Sequence, residues 1–557
     1  ARSNVLFILM KERRRKDRHQ PRPPAENPPD LSSSDRFSSY ADSSQGRFAL
    51  PAIVAVLTLL VGVWTFDAKL SLSGDNTEFI TLARSMAAGE GLLHINSPDP
   101  QPATKYPFGL PLLLAPMQWL FPGDWVPMKA WVLVIFALGM GALYQLAKER
   151  VGAGPALAVV VLSLTAGKSY LTHGPDGLVF GPLLLHYSHQ IMSEAPYLTF
   201  SLLALWLVER GIAREGIKDN WWLIGGFGCT MWAYYIRTAG ITLIAAVVVY
   251  MLLRRDYRRG LIFGGAAVAC WLPWTLRNKA VGGGGVYIKQ LFMVNPYHPD
   301  RGLLDFAGFV ERFIGHIGLY LTRELPNTLV PFFDSAETIF HPASLLLILL
   351  AVAATVFCVK RGENLLLLVY AAFFMGVVLL WPWPGDRFLI PIVPVLVFLA
   401  VWVVLKTQDI LVAKGGALVI KVLVWGLLCI CLVGQVGGVK RLADYAEADY
   451  PPPWSRYYQA GLWLKANTSE DAIVLCRKGY WMYIVSGRRC IGFPFEEPAQ
   501  VLAYMEREQA DYVVLESLGF PQTVQYLVPA VNEYRDRFKA LWQDQTVPTY
   551  VLRFLKQ

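Results

Sequence analysis

The chain has 557 residues, of which 54% are hydrophobic and only 17% charged. A soluble globular domain carries roughly 25% charged residues, so this composition excludes an ordinary water-soluble fold and implies a polytopic membrane protein. The formal charge of +9 does not mark a nucleic-acid binder, because much of the excess Lys and Arg lies in short stretches between apolar runs, where it sets membrane topology.

Residues 1–48 hold a basic run, Lys11–Arg22, and then a stretch rich in Pro, Ser and Asp. Such a segment is expected to be a disordered cytoplasmic tail. Apolar runs follow at Ala49–Phe66, Trp125–Ala147, Ala153–Ala166, Ala195–Val208, Trp221–Ile236, Ala239–Leu253, Leu261–Leu276, Ala343–Val359, Leu365–Trp381, Phe388–Leu405 and Ala417–Val439. With flanking residues these make about eleven spans of roughly 20 residues each. The basic connections Lys148–Arg150, Glu209–Lys218, Arg254–Arg259, Lys360–Arg361 and Lys406–Lys414 then share one side, which the positive-inside rule makes cytoplasmic. This holds only if the short, Pro-containing run Phe108–Phe121 lies on the surface as an interfacial helix. The long connections 67–123 and 277–341 and everything after Val439 then face outward. Residues 49–439 form the membrane domain.

The tail 440–557 lacks long apolar runs. It alternates helix (Tyr457–Lys465), strands (Ala472–Cys476, Arg489–Gly492), helix (Pro498–Arg507), strand (Tyr512–Glu516), mostly helix (Thr523–Phe538) and strand (Pro548–Phe554). The expected fold class is therefore mainly α, with a small C-terminal α/β domain. Cys476 and Cys490 either pair or stay buried thiols, while the other five Cys fall in apolar runs and read as core residues. Gly282–Gly285 lacks the Lys-Ser/Thr of a phosphate loop and reads as a hinge.

Several polar residues stand at the outward ends of spans. Asp75 follows the first span in Gly-Asp-Asn-Thr-Glu78. The plainer reading is a helix cap, with Glu78 at the third helical position. The chemical one is a general base, with Glu78 orienting the site. Glu194 opens a span in Ser-Glu-Ala-Pro. It either caps that helix with Ser193 or acts as a second site acid, since an acid at membrane depth is costly. Lys105 precedes Tyr106 and Pro107 at the interfacial helix; Arg237, Arg277 and Arg387 end or border spans on the outward side. One such Arg snorkels to headgroups. Three of them with a Lys are better explained by a shared anion, which Arg holds through bidentate hydrogen bonds. Tyr106, Asn278 and His189 are candidate substrate-lining residues. His186 and His189 could hold a divalent cation with Glu194 or Asp176, but acceptor contact or plain polar surface fits them better, and no metal or cofactor is expected.

These segments, with Pro273-Trp-Thr-Leu-Arg-Asn278 and Asp386-Arg-Phe-Leu-Ile-Pro391, resemble GT-C fold glycosyltransferases of the protein mannosyltransferase and aminoarabinose transferase superfamily. The resemblance implies a bacterial inner-membrane enzyme that moves a sugar from a polyprenyl-phosphate donor to a glycan, lipid or protein acceptor with inversion. It makes Asp75 the base and places Lys105, Arg237, Arg277 and Arg387 on the donor phosphate. The chain departs from the pattern by inserting Tyr106 between Lys105 and Pro107. The competing reading is a transporter or flippase of a lipid-linked sugar. It calls for internal repeats and interrupted mid-membrane helices, and no repeat is visible in the sequence.

Overall fold

The computed structural model of the protein describes residues 44–556, except 73, 175–176, 215–219, 297, 299–300, 331–337, 413–416 and 545. The expected disordered tail lies outside the described residues up to position 43, as does Asp176. The chain divides into two units, residues 1–50 and 51–557. Of the first, only residues 44–50 are described, and they are helical.

Every apolar run named above forms a helix. In chain order the helices are α1 (Ser44–Trp64), α2 (Gly74–Ala87), α3 (Gly109–Leu120), α4 (Val126–Val151), α5 (Ala153–Leu164), α6 (Glu194–Ile212), α7 (Trp221–Ile236), α8 (Ile241–Leu253), α9 (Tyr257–Ala280), α10 (Val286–Phe292), α11 (Phe306–Leu319), α12 (Pro342–Arg361), α13 (Leu365–Leu380), α14 (Val393–Val412) and α15 (Ala417–Glu447). Among the described residues α4, α12 and α14 are long and apolar enough to cross a membrane, and the Phe48–Trp64 part of α1, with α3, α5, α8 and α13, is apolar but shorter.

Burial separates inner from outer helices. On α4, Met128, Val132, Phe136 and Met140 recur every fourth residue and are fully buried. That spacing is one face of a helix, and Thr199 of α6 closes the contact by donating to the Ile135 carbonyl at 3.0 Å. At the far end, Arg150 pairs with Glu209 and Arg210 with Glu149, tying α4 to α6. On α12, by contrast, Leu345, Leu349, Val352 and Val356 form an exposed apolar stripe. A face of that kind calls for an apolar partner, bilayer or protein.

After α15 the chain forms α16 (Pro452–Asn467), β1 (Ile473–Leu475), α17 (Gly479–Ser486), β2 (Arg489–Ile491), α18 (Pro498–Arg507), β3 (Tyr512–Leu515), α19 (Val528–Glu533), β4 (Phe538–Asp544) and β5 (Thr549–Phe554). The strands make one sheet in the order β2-β1-β3-β5-β4, with β1 parallel to both neighbours and β5 antiparallel to β3 and β4. Its core holds Leu475, Val501, Met505, Val513 and Leu552. Two elements differ from expectation. Helix α17, of sequence Gly-Tyr-Trp-Met-Tyr-Ile-Val-Ser, is rich in strand-preferring residues, but parallel β1 and β2 need a crossover between them. β4 is an edge strand paired only with β5, and its mostly exposed residues lack a clean alternation. Cys476 and Cys490 are both fully buried free thiols.

The α/β domain grips the loop between α1 and α4. The Cys490 amide donates to the Asn96 carbonyl at 2.7 Å, and the Asn96 amide returns a 3.0 Å bond to the Cys490 carbonyl. Tyr480 meets His94 at 3.0 Å. Helix α2, whose Phe79, Ile80, Leu82 and Ala83 are all within 1% of full burial, is thereby held from both sides. Burying each of the larger three is worth roughly 1.5–3 kcal/mol, so the middle of α2 is firmly placed.

Candidate active site

A cavity of 730 Å³ opens where α2, the segment before α3, the end of α7, α10 and α13 meet the turn after α13. Its polar end carries Asp75, Lys105, Tyr106, Arg237 and Arg387; its other end is lined by Ile288, Leu291, Phe374, Val377, Val378 and Trp381. Ile241 and Val377 line it too and are 49% and 37% exposed, so the apolar end reaches the outer surface of the bundle.

Asp75 stands in the first turn of α2, where the helix dipole favours an anion. Both its oxygens serve other elements. Tyr106 donates its hydroxyl to Oδ1 at 2.8 Å, and Arg387 donates Nη2 to Oδ2 at 3.0 Å. Lys105 Nζ donates to the Tyr106 hydroxyl at 2.6 Å, so the Tyr inserted between Lys105 and Pro107 relays the lysine to the carboxylate. Burial works against the Asp75 charge. Arg387 and then Lys105 outweigh it, and the carboxyl sits below its usual range. At neutral pH Asp75 is ionised and 35% exposed, and it lines the cavity.

Glu194 shares Arg387 but is placed differently. Its Oε1 accepts Arg387 Nε at 2.7 Å and Arg237 Nη1 at 2.9 Å, and the side chain is 0% exposed. It does not line the cavity. It stands behind the two arginines and aims them, which corrects the expectation of a second acid in contact with substrate. Ser193 does not cap α6 with its side chain; its Oγ accepts Arg237 Nη1 at 2.7 Å. Arg237 itself turns off the end of α7 in extended backbone. Gly109 brings the Lys105 segment close to this turn, since a Cβ there would meet the Tyr235 carbonyl carbon at 2.6 Å.

Four other expected site residues lie off the cavity. Arg277 bonds the Ala103 carbonyl, Asn278 Oδ1 at 3.0 Å and the Leu92 carbonyl at 3.4 Å. Its guanidinium clamps the hairpin Leu93–His94/Gln101–Pro102 rather than facing an anion. Asn278 is that clamp's partner and is buried. His189 is fully buried, and its Nε2 accepts the Asp67 amide at 3.3 Å. Glu78 stands one turn after Asp75, outside the cavity lining. Burial pushes its carboxyl up to about 7, with Lys105 opposing and Asp75 adding. No group of three or more His, Cys, Asp or Glu with metal-binding geometry forms among the described residues.

Sequence reasoning passed over Tyr287, Trp381 and Trp383, all of which line the cavity. Tyr287 meets Tyr106 and Trp381 at ring distances of 6.4 and 5.7 Å. The two tryptophans stand just past the end of α13, where an aromatic ordinarily anchors a span at the membrane interface. The glycine run is no free hinge: a Cβ on Gly283 would strike the Thr104 side chain at 2.4 Å, so the run lets α10 pass tightly over the residue before Lys105.

No protein-family profile and no curated protein sequence matches the chain. Solved structures do. ArnT from Cupriavidus metallidurans, bound to undecaprenyl phosphate, superposes with a TM-score of 0.55 at 13% identity, covering 92% of this chain and 98% of that one. The apo state of the same protein gives the same figures. The chain has the GT-C glycosyltransferase fold. At this identity the likeness establishes the fold alone, and what the cavity does must come from its residues.

Proposed function

We propose that this protein is an inverting membrane glycosyltransferase that transfers a sugar from a polyprenyl-phosphate donor to an acceptor hydroxyl or amine. The observation that carries the reading is the convergence of one cavity-lining carboxylate and three cations, from separate elements, at the polar end of a cavity whose other end is apolar and reaches the outer surface of the bundle. An anionic headgroup on a hydrocarbon tail fits that division. The tail lies along Phe374, Val377 and Val378 of α13, and the phosphate meets Lys105, Arg237 and Arg387. That ArnT was solved with undecaprenyl phosphate bound supports the same class of ligand here.

The chemistry follows from the charges. The acceptor oxygen attacks the anomeric carbon, its proton passes to Asp75, and the bond from that carbon to the phosphate oxygen breaks with its electrons on the phosphate. Such a leaving group needs neutralisation more than protonation, and fixed guanidinium donors in a water-poor cleft supply it. In the free protein Arg387 also holds Asp75, which makes the carboxylate a weak base. A phosphate on Arg387 loosens that hold and restores basicity once donor is present. The reading places the protein in a bacterial inner membrane with about eleven spans, the residues before α1 in the cytoplasm and the α/β domain outside.

The test is donor turnover. Purified full chain is given a panel of labelled polyprenyl-phosphate sugars, with Asp75→Asn as control. Release of polyprenyl phosphate by the wild type alone is the expected result. No turnover, together with flipping of the lipid-linked sugar in proteoliposomes, would replace the enzyme with a transporter.

A further inference from the structure

A second cavity, of 280 Å³, adjoins the first. It lies among residues 67–72, the segment before α6, and Tyr445 and Tyr450 at the end of α15 and beyond. Met192 lines this cavity and Ser193 lines the first; Leu72 lines this one and Asp75 the first. The two spaces are therefore neighbours near the start of α2, on opposite sides of residues 187–193. Tyr187 lines the second cavity, and its hydroxyl lies within electrostatic reach of Arg387, Glu194 and Asp75 across that segment.

The lining mixes polar groups with Leu70, Leu72, Leu171 and Met192, and its charges are spent. Asp67, 4% exposed, holds Lys69 Nζ at 2.9 Å, and the same ammonium donates to the Tyr445 and Ala446 carbonyls at 3.1 and 2.9 Å. Lys129 stands behind on the Lys69 carbonyl at 2.6 Å and does not line the cavity. Burial holds the His186 ring down to about 4, so it is neutral at pH 7. Among the described lining residues no cation is left over for an anion. Two buried polar atoms there lack a partner, Gln190 Oε1, on a side chain 3% exposed, and His186 Nδ1. Buried polar atoms are paired in roughly 90% or more of cases, so two on one small cavity point to a bound molecule that hydrogen-bonds to both. A hydroxyl, which donates and accepts, suits either tautomer of His186. Tyrosine rings supply flat faces with polar edges.

We propose that this cavity is the acceptor subsite, and that it takes an uncharged, hydroxyl-rich group, a sugar ring, whose reacting hydroxyl reaches Asp75 past Leu72. The acceptor role rests on the donor reading above; the sugar site stands on the cavity itself. Gln190 and His186 bind two ring hydroxyls, and the tyrosines cover the ring. A phosphate is disfavoured because Lys69 is saturated, and a hydrocarbon because it would leave both orphan atoms buried and unpaired.

The test uses the full chain in lipid nanodiscs, free of sugar detergents. The probes are a diazirine-bearing methyl glucoside and its 6-phosphate, with cross-links mapped by mass spectrometry and polyprenyl-phosphate binding measured in parallel. The neutral probe is expected to label peptides containing residues 186–192 and 445–450 and to be displaced by unlabelled methyl glucoside. Labelling should fall at least about tenfold in Gln190→Leu and in Leu72→Trp, with polyprenyl-phosphate binding unchanged. Leu72→Trp blocks the cavity at its half-buried edge and keeps the test valid if Gln190→Leu misfolds. Absence of labelling would mean the cavity holds only water and would overturn the proposal, as would equal labelling of Leu72→Trp or preference for the phosphorylated probe. Labelling here without polyprenyl-phosphate binding to the wild type would strike the donor reading and leave the sugar site standing.

Discussion

Two carboxylates touch one guanidinium, and their surroundings give them different work. Asp75 and Glu194 both bond Arg387, at 3.0 and 2.7 Å. The Asp75 side is 35% exposed and opens on the cavity; the Glu194 side is sealed at 0%. Only a group that reaches the reacting atoms can exchange a proton with them. A sealed carboxylate can still fix the direction and charge of the arginines in front of it. Residue type at a helix end says little about role here; exposure and the order in which side chains stand behind one another decide it.

The sharpest way to break this contrast is to neutralise each acid. Asp75→Asn keeps the shape and is expected to lower transfer by roughly 10²–10⁴-fold, the usual contribution of a general base. Polyprenyl-phosphate binding should persist or tighten, because Arg387 loses its competitor. Steady-state rates and binding on one preparation check both, and full transfer by the variant would remove Asp75 from the mechanism. Glu194→Ala should instead act on folding. It leaves Arg237 and Arg387 side by side at the cavity wall without their shared buried anion, a loss of up to roughly 3–5 kcal/mol, less what Asp75 still offsets on Arg387. Thermal melting in detergent should show it, with partial rescue by Glu194→Asp and weakened donor binding in whatever folds. A variant with wild-type melting and only a lower kcat would return Glu194 to the chemistry.

Arg277 tests the converse, since it looks like Arg237 in sequence but clamps a hairpin. Arg277→Ala should cost about 1.5–3 kcal/mol of stability, the worth of one charge-assisted bond, and leave donor binding within about twofold. A larger binding loss, measured by titration with polyprenyl phosphate, would put Arg277 back on the anion.

The same pair shows what the chain's order of residues could reveal. Cations at the outward ends of apolar runs break the topological rule, and that anomaly marked Lys105, Arg237, Arg277 and Arg387 together. Whether each faces the cavity depends on the direction in which its helix ends. Arg237 leaves α7 in extended backbone and turns inward, while Arg277 is still within the last turn of α9 and meets the Ala103 carbonyl. No local pattern separates those outcomes. The helices themselves were legible because apolar runs of this length have little choice in a bilayer. Strand β4 was not, because an edge strand paired on one side buries too little to print an alternation. Trp381 and Trp383 were hidden by their commonplace position, since an aromatic at a span end anchors far more often than it lines a site.

The smallest expected effect is also the one that reports on the polar end without touching it. Glu78 is held at about 7 in the folded protein, chiefly by burial, against an ordinary value of 4.5. Between those two pH values the unfolded chain has released the proton and the folded chain keeps it, so stability falls as pH rises through this window and is level above it. Glu78→Gln removes that fall. It should melt no higher than wild type at pH 4.5 and higher at pH 8. Donor binding follows the same titration. Above pH 7 the ionised Glu78 adds a negative charge near Lys105, opposing the phosphate by roughly 0.5–1 kcal/mol in a partly wet site, about two- to fivefold. Wild-type affinity relative to Glu78→Gln should therefore drop between pH 6 and pH 8, a comparison in which the ligand's own titration cancels. Parallel profiles for the two proteins would mean that Glu78 stays in one protonation state across the range, and that the charge at the polar end is set by Asp75, Lys105 and the two arginines alone.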